Sequence, residues 1–214
     1  MKNYMTHNII EFIHIPKCGG TFIKNLIRKT TNENDDSELA CKDYRQKHGG
    51  DCTNLHVPYF TLVQNPSKKN KIFFAIIRCP ISRLISNYYY DNLIFKQLFG
   101  ELNCSSIKNF VNYLHENPSE MNKHIHLLPQ SYFLTEKKNG TALSQNIIYL
   151  SFSQLPLNIF YLLKSINVPV RNENLFKHFN KQEFDTNNIK LDKCTIEKIY
   201  DLYMIDYLLL KNYL

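Results

Sequence analysis

Two adjacent glycines, Gly19 and Gly20, set between an apolar run and a stretch of helical periodicity, constrain this chain more than any other feature. The run Ile9-Ile10-Glu11-Phe12-Ile13 reads as a strand, and Lys24-Asn25-Leu26-Ile27-Arg28 places apolar residues at helical spacing. His14-Ile15-Pro16-Lys17-Cys18-Gly19-Gly20-Thr21-Phe22-Ile23 is therefore the middle of a strand, tight loop and helix. Glycine carries no Cβ, so the backbone can turn sharply there and come close to a ligand. The N–H groups at the start of a helix lack partners within it, and the helix dipole favours an anion at that end. Lys17 adds a positive charge and Thr21 a hydroxyl. The local chemistry is that of phosphate binding; the plainer alternative is a bare strand-to-helix turn with Lys17 in water.

The residue order differs from that of the nucleotide-triphosphatase loop, G-x-x-x-x-G-K-S/T, whose hydroxyl binds magnesium. Here Lys17 precedes the glycines, no Lys-Ser or Lys-Thr pair follows them, and no apolar strand ends in an Asp that would supply a second magnesium ligand. A phosphate cradle without a metal fits better. A second segment supports it. Lys71-Ile72-Phe73-Phe74-Ala75-Ile76-Ile77 reads as a buried strand, and Arg78-Cys79-Pro80 leads into Ile81 to Tyr90 in helical register. Pro80 suits a first helical turn, where its missing N–H costs nothing. Arg78, at the carboxyl end of a strand, is placed for a ligand in the crevice outside an open α/β sheet. Its planar fork can grip phosphate oxygens in pairs. Ser86, two helical turns on, is expected to meet the same anion. Read alone, Arg78 could equally cap a helix or pair with a carboxylate.

Taken together, the two segments resemble a known family. His14-Ile15-Pro16-Lys17-Cys18-Gly19-Gly20-Thr21 is similar to the 5′-phosphosulfate loop of sulfotransferases that use 3′-phosphoadenosine 5′-phosphosulfate (PAPS). Phe74 to Tyr88 resembles their 3′-phosphate segment, F-x-x-x-R-x-P-x-x-R-x-x-S-x-Y. The nearest branch is that of the Golgi-type carbohydrate sulfotransferases, the heparan and uronyl 2-O and chondroitin enzymes. Weaker similarity runs on through His126-Leu127-Leu128-Pro129-Gln130-Ser131 and Ile147-Ile148-Tyr149-Leu150 to the C-terminus. The resemblance implies an α/β, P-loop-like three-layer fold, a central parallel sheet flanked by helices, in one domain over residues 1–214. It implies PAPS as donor with 3′,5′-ADP as product, no metal, and a hydroxyl acceptor, expected on a small molecule or oligosaccharide. Pro16, Lys17, Cys18, Gly19, Gly20, Thr21 and Phe22 would hold the 5′-phosphosulfate, and Arg78 and Ser86 the 3′-phosphate. The family often has Thr at the place of Cys18 and Ser at that of Phe22, so backbone contacts would persist where side-chain contacts would not. The acidic residue that Golgi relatives usually carry in the segment matching Ser151 to Leu155 is absent here.

The general base is expected in His56-Val57-Pro58-Tyr59, which is similar to a His segment of the heparan 2-O relatives. An attacking hydroxyl loses its proton as it bonds to sulfur, which a neutral imidazole in reach can take. Lys17 would stabilise charge building on the leaving oxygen. His14 and His126 compete with His56 for the role. Two rivals stay open: a P-loop kinase, and a non-catalytic descendant that binds a nucleotide or an acidic glycan.

With 214 residues, 26 Lys and Arg against 19 Asp and Glu, and a formal net charge of +7, the chain can bury a core and favours anionic partners. The charge is dispersed and no aromatic-basic recognition motif accompanies it, so nucleic acid is not the expected partner. The N-terminal residues are polar and no apolar stretch reaches about 18 residues, so neither signal peptide nor membrane anchor is expected. The six cysteines lack zinc-ligand spacing and read as reduced thiols of a cytoplasmic protein, with Cys41–Cys52 the pair to test otherwise. Further expectations are helices over residues 105–117 and 154–166, and a long C-terminal helix over 192–213, breakable, with its Tyr/Leu stripe in the core. Tyr88-Tyr89-Tyr90 is expected to pack inward, and Pro129-Gln130-Ser131 to line an acceptor pocket.

Overall fold

The computed structural model describes residues 10–31, 56–138, 140–167 and 189–214. Cys41, Cys52 and most of the polar stretch after Thr30 lie outside the described residues. Three strands, β1 (Ile10–Ile13), β2 (Ile72–Ile77) and β3 (Ile147–Ser151), pair in the order β1-β2-β3. Both pairings are parallel, with Ile13 opposite Ala75 and Ile77 opposite Ser151. In β2, Phe73, Phe74, Ala75, Ile76 and Ile77 are all buried. A strand whose alternate residues are all buried is covered on both faces, the mark of a parallel sheet between helical layers. Parallel strands need crossovers, and the helical runs between them supply these. The architecture is the α/β one expected.

The helices are α1 (Gly20–Thr31), α2 (Tyr59–Leu62), α3 (Pro80–Tyr90), α4 (Asn92–Phe99), α5 (Ile107–Glu116), α6 (Leu157–Ser165), α7 (Lys193–Leu202) and α8 (Met204–Leu210). Their ends follow local chemistry. The Ser106 hydroxyl accepts the Asn109 N–H at 3.1 Å and so caps α5. Asp192 caps α7 in the same way, accepting from Thr195 at 2.8 Å. Ile23 and Leu26 of α1 pack on the sheet with Ile159, Leu162 and Leu163 of α6. A second cluster joins Leu84 and Tyr88 of α3, Phe95 of α4, Phe110 and Leu114 of α5, and Ile199 with Tyr203. Among the described residues no helix is long and apolar enough to cross a membrane.

Two helix ends agree with the sequence expectation of a helix reaching Tyr90 and of a breakable C-terminal helix. The helix of the second phosphate motif stops at Tyr90, and a separate α4 follows the single residue Asp91. The C-terminal helix breaks at Tyr203, between α7 and α8. Tyr203 is fully buried there, and its hydroxyl donates to the Leu127 carbonyl at 3.0 Å. The break turns Asp206 inward, where its carboxylate accepts the N–H groups of Gln130 and Ser131, each at 2.8 Å. The stripe is thus core only in part: Tyr203 and Leu210 are buried, while Tyr200, Met204 and Leu208 are exposed.

Candidate active site

The three strands run parallel, so the segments that leave their carboxyl ends meet at one edge of the sheet. After β1 comes the glycine turn. Lys17 adopts a left-handed φ of 63° and Gly19 one of 83°. A left-handed lysine stores about 1 kcal/mol of backbone strain, and alternation of hand along a turn points successive N–H groups into one concavity. The first bond of α1 runs from the Ile23 N–H to the Gly19 carbonyl at 3.1 Å, so the amides of residues 19–22 precede the helical ladder. Gly20 is needed for a different reason. A Cβ on it would sit 1.7 Å from Nε2 of His14, whose ring occupies that space.

Side chains of the turn divide between frame and opening. Pro16 and Cys18 are buried; the Cys18 thiol donates to Gln130 Oε1 at 3.3 Å, and burial pushes its pKa up to about 11. Only the backbone of Cys18 is left to serve a ligand. Thr21 is exposed and Phe22 half-buried against the sheet core. The Lys17 ammonium lies 3.4 Å from the ring centroid of Tyr90, which is exposed. Tyr90 therefore carries a cation instead of packing inward, while Tyr88 is buried as expected. Desolvation lowers the Lys17 pKa to about 8, against the pull of Asp91.

After β2, Arg78 turns toward the same turn. Its guanidinium donates to the Lys17 carbonyl at 2.9 Å and to Ser82 Oγ at 3.2 Å, and lies 4.5 Å from the ring centroid of Phe152, just past β3. The Gln130 amide brackets its backbone, accepting from the Arg78 N–H at 3.0 Å and donating to the Arg78 carbonyl at 2.8 Å. Gln130 and Ser131 are buried structural residues rather than a pocket lining. Ser86 is buried on α3. Arg83, 1% exposed, has three backbone carbonyls as partners: Pro16 at 3.1 Å, His126 at 3.0 Å and Leu128 at 2.8 Å. It ties the glycine turn to the segment before Pro129.

The three competing histidines belong to one cluster. His14 and His56 have ring centroids 4.4 Å apart, and His56 and His126 4.9 Å. His56 Nδ1 lies 2.9 Å from the His14 carbonyl; a carbonyl only accepts, so this nitrogen carries hydrogen. His56 Nε2 faces His126 Nε2 at 3.2 Å, and His126 Nδ1 meets Asp91 Oδ2 at 2.6 Å. His56 is 5% exposed, and burial lowers its pKa to about 3. Burial likewise holds His14 well below the ordinary imidazole value. Asp91, His124 and His126 offer ligand atoms within 4.8 Å of one another. At 2.6 Å the Asp91–His126 contact is that of a hydrogen bond.

The sequence reading missed Asp91 and Phe152 as parts of this edge, and gave Gln130 a pocket-lining role in place of its bonds to Arg78. Asp91 had a signal: Arg83, Asn87 and Asp91 are spaced by four, one polar stripe on a helix. Asn87 donates to the His126 carbonyl at 3.2 Å, so the whole stripe faces one segment.

A family model described as "Sulfotransferase family" matches residues 4–213. No curated protein and no solved structure matches the chain.

Proposed function

Because the chain belongs to the sulfotransferase family, we propose that it moves a sulfuryl group from PAPS to a hydroxyl, with a carbohydrate as the acceptor class. The observation that carries the proposal is the Arg78 guanidinium beside the Lys17 carbonyl. A cation from one strand end and the glycine turn from another stand side by side, as a single nucleotide with anions at both ends would require. The amides of residues 19–22, Lys17 and Thr21 suit the 5′-phosphosulfate, and Arg78, with Ser86 on the helix that follows it, the 3′-phosphate.

In this scheme the acceptor oxygen attacks sulfur in line with the bond to the phosphate oxygen. That bond's electron pair leaves with the phosphate, where Lys17 and the turn amides meet the growing charge. The acceptor's proton goes to the histidine cluster, with His56 as base; burial keeps that imidazole neutral and able to accept. PAPS supplies the activated sulfuryl group; the chain orients it and handles the proton.

Calorimetry with 3′,5′-ADP tests the assignment. Arg78→Ala should weaken binding by about 2–3 kcal/mol, the loss of charge-assisted hydrogen bonds. Arg78→Lys should recover only part of it, because an ammonium lacks the fork. Unchanged affinity in Arg78→Ala would overturn the nucleotide orientation proposed here.

A further inference from the structure

Both nitrogens of the proposed base are already engaged. His56 Nδ1 gives its hydrogen to the His14 carbonyl at 2.9 Å, and with Asp91 ionised His126 Nδ1 gives its own to that carboxylate at 2.6 Å. The two remaining nitrogens, both Nε2, face each other at 3.2 Å. A hydrogen bond between them requires one proton in the gap. With Asp91 ionised, the pair therefore carries one positive charge, which rests on His126 against the buried Asp91 carboxylate while His56 stays neutral.

Asp91 is used unusually. It stands at the junction of α3 and α4, where an aspartate normally caps the following helix, yet its side chain makes no cap bond. The carboxylate goes to His126 instead. Without the shared proton, two lone pairs would face each other across 3.2 Å, and the rings would separate. That separation makes room for a hydroxyl.

We infer that the base of this site is the His56–His126 pair acting as one unit, which takes the acceptor's proton into the gap between its Nε2 atoms while Asp91 balances the charge. The closed contact is the arrangement that would hold the proton. In the open form the acceptor hydroxyl donates to one Nε2. As its oxygen bonds to sulfur, the O–H bond breaks, the S–O bond to the phosphate breaks with its electron pair on the phosphate, and the proton stays with the imidazoles. The rings then close on it. The proton leaves through His126, whose side chain is 16% exposed, since His56 is enclosed. Asp91 is a positioning residue: it fixes the tautomer of His126 and favours the charged pair. The charged and titratable groups around the pair are His14 from the end of β1, Lys24 from α1, Arg83 from α3 and His124 beside His126. Burial first, and then the cations among them, oppose a proton on His56 itself.

This inference rests on the sulfuryl-transfer proposal, and one set of measurements separates the two. The full chain labelled with 15N at histidine is titrated by NMR, and 3′,5′-ADP binding is measured on the same preparation. The expected result is that both Nδ1 stay protonated while the two Nε2 signals move together through one midpoint, with one proton taken up per pair. Asp91→Asn should lower that midpoint by about one unit or more, and Asp91→Glu should restore most of it. Separate midpoints for His56 and His126 overturn the inference without any variant, as does a midpoint that Asp91→Asn leaves in place. If 3′,5′-ADP fails to bind while the joint titration holds, the donor assignment has failed and the paired histidines stand.

Discussion

At the scale of single residues, the groups at the site's edge are held away from their ordinary chemistry by burial. Lys17 has its pKa lowered to about 8 and is a cation below that value. Its attraction for an anionic nucleotide is present at pH 7 and lost as pH rises through 8. Calorimetry should show 3′,5′-ADP affinity falling between pH 7 and 9, and a flatter profile in Lys17→Ala. His56 works in the opposite sense. Its folded pKa of about 3 lies below the unfolded value near 6.5, so the unfolded chain takes up the proton first on acidification. Stability from this group is complete above about pH 6.5 and is lost progressively below it. Thermal melts from pH 7.5 to 4.5 should therefore show a falling Tm in the wild type and a weaker fall in His56→Gln. Gly20→Ala forces a Cβ to 1.7 Å from His14 Nε2 and should cost about 1–3 kcal/mol by overpacking, read from denaturant midpoints.

Elements show why one half of the site was legible and the other was not. The donor half is local: β1, the glycine turn and α1 are consecutive, as are β2, Arg78 and α3, so spacing alone announces them. The histidine cluster is assembled from far apart, His56 lying 70 residues from His126, and no periodicity links them. Sequence could name three candidates but not that they touch. The roles of Asp91 and Asp206 were hidden for a related reason, since each serves a distant partner, His126 or the Gln130 turn. Arg83 is the joint between the halves. Arg83→Met should leave the Pro16 and Leu128 carbonyls without their guanidinium donor and cost about 3 kcal/mol or more. The loss should appear both in chemical denaturation and in weakened 3′,5′-ADP binding, because the glycine turn loses its tie.

For the whole molecule, a parallel sheet with its central strand covered on both faces leaves one rim for chemistry, and three strand ends deliver their residues to it. A donor nucleotide binding there stabilises the folded chain by about 2.7 kcal/mol at one hundred times its Kd. Thermal shifts should therefore respond to 3′,5′-ADP more than to ATP, and magnesium should not be required. Preference for ATP with magnesium would favour a kinase instead. Finally, His14 touches both halves at once: its ring leans on Gly20, and its carbonyl holds His56. Backbone movement as an anion settles on the amides of α1 would press on the His14 ring, and the residue that bears that ring also bonds the proton acceptor. Loading of the first substrate and readiness toward the second are mechanically geared together.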